Sequence, residues 1–550
     1  MWLDKWLLCG LVLVRVYADQ DVQLEIPQGI LKGLKTETIL HSKGYYSFKG
    51  IPYAEPNVGP NKFRIAEPAN PWEGVYDATQ HRGTCPFYCM MKKGLIGEED
   101  CLYLNVYTPV LDKEARKAVM VWFFPGSWNS GTGDDMLFGP DFLVEQDVIV
   151  VTVNFRLGAL GYLNTADKAA PGNAGMKDQV LALKWVKDNI HFFGGCPNRV
   201  TIFGASSGAA SVQYHMFSPM SEGLFNGVIE QSGSMANPWA LQSNPRELAF
   251  MLGEALGIKT TDSAELVQKL SEFHVKDIIA ASGEVTKSLN GLNGHLYAFV
   301  PSIEADLGQD IFLSNDPWTL LKNGQVADVP LMTGVVVDEG IQFAQNMLNH
   351  IELLNTEPEL FLPDDLNITD PEMKTMHGQC LKKFYFGDKQ VTKEDMNDFT
   401  KMIGDTFFNA GEILALDLIK AKSSAPIYLY QFNYEAPFGF MKHLSGITDG
   451  VVHGDEMGYL FYSGAFKNLP EPGSSAEKMT NIMTKLWTNF AKDKNPTSNM
   501  DEDITVNWEP TTEEHDYLRI DRELKMEKNL LQDRIDYWKK KYSNITENAM

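Results

Sequence analysis

The chain has 550 residues, 44% hydrophobic and 22% charged, a balance that supports a large globular core. Its formal net charge of −24 argues against nucleic acid and anionic lipid surfaces as partners, since an acidic protein repels both. The acidic residues are scattered along the chain, which reads as a soluble surface rather than a charged tail.

Residues 1–18 read as a secretory signal. Lys5 supplies a positive start, Leu7 to Val14 is an apolar run too short to span a bilayer, and Val16-Tyr17-Ala18 resembles a small-residue cleavage site. Cleavage after Ala18 predicts a secreted mature chain. With no Pro/Gly/Ser linker, it is expected to form one domain over residues 19–550. Cys9 leaves with the signal, and Cys85, Cys89, Cys101, Cys196 and Cys380 remain. An oxidising compartment favours a short-loop bridge. Cys85–Cys101 is the expected pair, with Cys89 as the rival partner. No metal site is expected, because no second closely spaced Cys or His pair completes one. Open sequons stand at Asn367 and Asn544.

Val119–Phe124 and Val148–Val153 are continuous apolar runs, as in strands covered on both faces. Asp178–Val186 has helical spacing. Val200–Phe203 predicts a strand, followed by Gly204-Ala205-Ser206-Ser207-Gly208 and a run of small residues that suits a closely packed helix. Further strands are expected at Val228–Glu230, Val329–Met332 and Pro426–Tyr430. A C-terminal helix should place Leu531, Ile535, Trp538 and Tyr542 on one face. Strands alternating with helices predict an α/β fold, a mostly parallel sheet with helices on both sides.

Strand, sharp turn, helix is the context in which G-x-S-x-G forms a nucleophile elbow, with Ser206 at its apex. Such a serine needs a base and an acid in the order Ser, Asp or Glu, His, delivered by loops beyond the carboxyl ends of the strands. Gly334–Gly340 carries Asp338 and Glu339, and Gly450–Glu456 carries His453. A histidine takes the serine proton during attack and returns it to the leaving alcohol. Glu339 would fix its tautomer, with Asp338 as the rival acid. An oxyanion needs main-chain N–H donors. Phe124-Pro125-Gly126-Ser127-Trp128 follows a strand; Gly126 and Ser127 own amide hydrogens and Pro125 does not. Ser207, at the helix start, offers a further donor.

These residues resemble the type-B carboxylesterase family, the group of cholinesterases and insect esterases. Glu99-Asp100-Cys101-Leu102-Tyr103-Leu104-Asn105-Val106-Tyr107-Thr108-Pro109 is similar to a family signature almost letter for letter. Asn154–Gly158, Asp178-Gln179, Gln231-Ser232-Gly233 and His453-Gly454-Asp455-Glu456 match further family patterns. The resemblance covers the mature chain, with an insect-esterase flavour. It implies an α/β-hydrolase fold with long insertions, no cofactor, and hydrolysis of carboxylic esters through an acyl-serine. It carries over Ser206, Glu339 and His453 as the triad, and Gly126, Ser127 and Ser207 as oxyanion donors. It also implies Ser232 as a supporting residue near the triad, and it supports the Cys85–Cys101 bridge.

The chain departs from the family at three places. The donor loop reads F-P-G-S-W instead of H-G-G-G-F, so Ser127 adds a Cβ where glycine is usual. Ala205 stands before the nucleophile, where the family commonly has Glu and juvenile-hormone esterases tend to have Gln. The Cys85–Cys101 segment lacks the tryptophan with which cholinesterases hold a quaternary ammonium. A small, neutral, apolar ester is therefore the expected substrate. The alternatives are a silent adhesion or ligand-binding relative and a protein that sequesters esters by slow turnover. Oligomeric state is left open.

Overall fold

A computed structural model of the chain describes residues 19–89 and 91–546. The signal segment expected over residues 1–18 lies outside the described residues.

The sequence's apolar runs become the centre of a 13-stranded mixed sheet. Its parallel core runs, in spatial order, Ile149–Val153, Lys117–Phe123, Gly195–Ala205, Gly227–Gln231, Leu331–Val336, Ile427–Phe432 and Tyr517–Ile520. Antiparallel strands flank it on both sides: Tyr103–Thr108 beyond Ile149–Val153, and Lys525–Glu527 beyond Tyr517–Ile520. Every residue of Ile149–Val153, Gly227–Gln231, Leu331–Val336 and Ile427–Phe432 is buried, which is why none of these strands alternates apolar residues with solvent-facing polar ones.

The strand expected at Val329–Met332 begins at Leu331 and runs on to Val336. Pro330 has no N–H for the ladder, so it can stand only at the strand's entrance, where its carbonyl accepts from Val228 N at 3.0 Å. The C-terminal helix is Gln532–Thr546. Leu531, expected on its face, instead precedes it with φ 53°. Ile535, Trp538 and Tyr542 are buried as the spacing required.

Successive residues of a strand point to opposite faces. Glu230 accepts from Gln213 Nε2 at 3.0 Å, on the helix Ser207–Phe217. The next residue, Gln231, accepts from Trp487 Nε1 at 3.1 Å, on the helix Ser475–Asp493. The sheet is thus covered on both sides, as an α/β-hydrolase fold requires. Cys85 and Cys101 form a disulfide, while Cys89 and Cys196 are buried thiols and Cys380 is an exposed one. Among the described residues no helix is long and apolar enough to cross a membrane, and no cluster of side chains has the makings of a metal site.

Candidate active site

The parallel register brings the carboxyl ends of neighbouring strands level. Ala205 pairs with Gln231, and Gln231 pairs with Gly334. The residue after each strand end therefore emerges on one edge of the sheet, and Ser206, Ser232 and the loop bearing Glu339 all lie there.

At the elbow the strand Gly195–Ala205 stops and the helix Ser207–Phe217 starts with only Ser206 between them, at φ 55° and ψ −122°. The glycines are obligatory. A Cβ on Gly204 would lie 2.4 Å from the carbonyl carbon of Gly208, and one on Gly208 would lie 2.0 Å from Phe123 O. Gly233 is needed as well, since a Cβ there would meet Ser206 O at 2.2 Å. Ser206 N donates to Gln231 O at 2.8 Å, tying the turn to the neighbouring strand. Ser206 Oγ has no hydrogen-bond partner among the described residues.

Glu339 follows the strand Leu331–Val336 and folds back on it. Its Oε1 accepts from Val336 N at 2.8 Å, and its Oε2 lies 2.6 Å from His453 Nδ1. A carboxylate that only accepts makes Nδ1 the protonated nitrogen and leaves Nε2 with a lone pair. Both side chains are buried, so the pair is shielded from water. Asp338, the rival acid, does something else: its Oδ2 accepts from Val451 N at 3.2 Å and so pins the histidine loop. Asp455 pins the same loop from the other side, accepting from Val452 N at 2.8 Å. Burial pushes the Asp338 carboxyl above its ordinary value, and burial pushes Asp455 up to about 6.

The donor loop runs through the left-handed region at Gly126, Ser127 and Trp128, with φ 129°, 54° and 55°. Gly126 O collects the N–H groups of Asn129 at 2.9 Å and Ser130 at 3.1 Å. Trp128 N donates to Ser207 Oγ at 3.4 Å, so the loop rests on the helix start beside the elbow. The amide of Ser207, first in its helix, has no intrahelical acceptor.

Ser232, at φ 55°, donates its N–H to Gly334 O at 2.8 Å. Among the described residues its Oγ is buried without a hydrogen-bond partner. Sequence reasoning missed the acids beneath the edge. Glu456 accepts from Gln231 Nε2 at 3.1 Å, and burial followed by repulsion from Glu339 pushes it up to about 7. Glu230 and Glu412 are raised by burial and then by neighbouring carboxylates. Thr333 Oγ1 donates to Glu412 at 2.5 Å. Glu456 stands in the same short motif as His453, which is the one signal that could have found it.

The chain matches the family model described as "Carboxylesterase family" over residues 20–538. It is 35% identical to Esterase FE4 of Myzus persicae over 493 residues, covering 86% of this chain and 85% of that protein. It is also 35% identical to a juvenile hormone esterase of Tribolium castaneum, covering 85% of this chain and 82% of the relative. The crystal structure of juvenile hormone esterase from Manduca sexta, with OTFP covalently attached, superposes with a TM-score of 0.84 at 27% identity, covering 95% of this chain and 100% of that one. Sequence, sheet topology and these likenesses agree that the chain belongs to the carboxylesterase family and is a carboxylic ester hydrolase.

Proposed function

We propose that the chain is a secreted serine esterase that cleaves small, neutral, apolar carboxylic esters through an acyl-serine intermediate. The observation that carries this reading is the buried 2.6 Å contact between Glu339 and His453 on the sheet edge from which Ser206 emerges. Ser206 Oγ attacks the ester carbonyl as His453 Nε2 takes its proton. The amides of Gly126, Ser127 and Ser207 hold the oxyanion, each such donor being worth about 3 kcal/mol. The imidazolium, stabilised by Glu339, then protonates the leaving alcohol. Water repeats the sequence in reverse and frees the carboxylate. Ser232 supports the site from beneath.

The aromatic surroundings favour an apolar substrate. Trp128 and Trp239 pack together near the elbow, with ring centroids 5.9 Å apart. Relatives named juvenile hormone esterase and pyrethroid hydrolase, and a structural relative with a covalently attached ligand, support the same class of chemistry. Secretion of one domain spanning residues 19–550 follows from the leader-like first residues and fits the disulfide. Asn367 and Asn544 are exposed and are the proposed glycan sites.

A fluorophosphonate probe tests the proposal. It is expected to label Ser206 stoichiometrically, and Ser206→Ala to abolish both labelling and p-nitrophenyl acetate hydrolysis. A folded chain that takes no label refutes the serine mechanism, and labelling without turnover replaces it with ester sequestration.

A further inference from the structure

The helix Met396–Gly404 does not run straight into the helix Ala410–Lys420. Between them, Asp405–Asn409 widens into one π-helical turn. Such a turn slips the main-chain ladder by a residue and leaves carbonyls for other donors, and it is frequent at functional sites. Here the donors come from the segment after Ser232. Trp239 Nε1 donates to Phe407 O at 2.7 Å, and Asn237 Nδ2 donates to Phe408 O at 2.9 Å. Asn237 is held at its other end, where Oδ1 accepts from Ser234 N at 2.7 Å. Gly411 permits this approach: a Cβ there would lie 2.4 Å from Asn237 Nδ2 and 2.9 Å from Ala236 O.

The clamped turn directs Phe408 at the histidine. Its ring centroid lies 4.3 Å from that of His453, with planes 35° apart. Phe343 completes the group, 5.7 Å from His453 and 5.1 Å from Phe408. Glu339 grips the imidazole through one nitrogen only, which leaves the ring free to swing about that bond. A flat aromatic neighbour removes this freedom. The same neighbour faces the ring while it carries a positive charge, and an aromatic face attracts a cation.

We propose that Phe408 is a positioning residue for His453, held by the π-helical turn and by Asn237 and Trp239, and that it both fixes the imidazole plane and stabilises the imidazolium. This rests on His453 acting as the base. Phe408 works through the histidine, so its loss is felt in turnover and not in substrate binding.

The test uses the full chain and p-nitrophenyl acetate, with active sites counted by fluorophosphonate titration and folding checked by thermal melting. Phe408→Leu is expected to lower kcat about tenfold and leave KM within about twofold, as fits the loss of one buried cation–π contact. Phe408→Tyr, which keeps the ring, restores most of the lost kcat. Asn237→Ala, which removes one of the two clamp bonds while leaving the Phe408 ring in place, lowers kcat in the same direction and covers the case in which Phe408→Leu fails to fold. Parental kcat in both Phe408→Leu and Asn237→Ala overturns the proposal, as does equal loss in the Leu and Tyr variants. A parent chain that neither takes the probe nor turns over ester refutes the serine mechanism itself, and this inference falls with it.

Discussion

Exchanging Glu339 for Gln removes a charge and almost no volume. In the parent, Oε2 lies 2.6 Å from Nδ1 of His453, with the two side chains 0% and 7% exposed. Taking the charge centres about 4 Å apart and an effective dielectric of about 20, carboxylate and imidazolium attract by about 4 kcal/mol. The imidazolium exists only while the serine proton is in transit, so this attraction belongs to the transition state and not to bound substrate. At 1.36 kcal/mol per decade the loss is about 10³-fold in kcat, with little change in KM. The amide adds a second fault, since it can donate as well as accept and so can hold the wrong tautomer. The assay is steady-state hydrolysis of p-nitrophenyl acetate, corrected for active sites and paired with a thermal melt. The control is Asp338→Asn. Its amide oxygen can still accept from Val451 N, the 3.2 Å bond made in the parent. That variant should keep kcat within about fivefold, because one part-buried hydrogen bond is worth about 1 kcal/mol. If Glu339→Gln retains more than a tenth of parental kcat, or Asp338→Asn proves the more damaging, the acid has been misassigned.

Cys101→Ser opens a bridge across a sequence separation of 16, which should cost about 3 kcal/mol by loop-closure entropy. The urea midpoint of the variant should fall to that of the reduced parent, and an unchanged midpoint would show that the bridge constrains nothing. Glu456→Gln tests the buried acids. Burial and then repulsion from Glu339 raise this carboxyl from 4.5 to about 7, so the folded chain keeps a proton that the unfolded chain has released. Folding takes up protons between those values, and this group's contribution to stability falls as pH rises through about 7. Melting the variant beside the parent from about pH 5 to 8 should show the Tm difference moving steadily in the variant's favour, and a difference independent of pH would refute the assignment.

How much of this was legible depended on whether a residue announced itself locally. The central strands did, because burial on both faces demands unbroken apolar runs such as Ile149–Val153. The elbow did, because its glycines are dictated by contacts of 2.0 to 2.4 Å that no other residue survives. Glu339 could be singled out because it sits just past the strand Leu331–Val336, and His453 because it follows in chain order on a loop flanked by glycines. The antiparallel strands Gln20–Ile26 and Gly29–Glu37 were not read, since half-buried strands with mixed polar residues give a weak signal. Glu230 was read only as part of a strand. Its significance comes from Glu412 on a distant helix, and no local pattern links the two. Asn237 is equally silent: its partner Phe408 lies 171 residues away, across a turn whose π-helical form is a tertiary outcome.

The donor loop shows how the fold absorbs a departure that looks damaging on paper. Ser127 and Trp128 hold φ 54° and 55°, and Ser206 and Ser232 both hold 55°, a conformation that side chains other than glycine disfavour. Such residues cost of order 1 kcal/mol or more each and persist only where the surroundings fix them. Ser206 and Ser232 are fixed by main-chain bonds to the adjacent strand, and Trp128 by Gly158 N donating to its carbonyl at 2.7 Å. The indole of Trp128 adds a bond to Ser211 Oγ at 2.8 Å, so the residue is anchored at both its backbone and its ring. With that anchoring, the loop has one position that truly demands glycine. At Gly126 a Cβ would sit 2.0 Å from Ser130 O, a collision that no rotation relieves while Gly126 O holds the Asn129 and Ser130 amides.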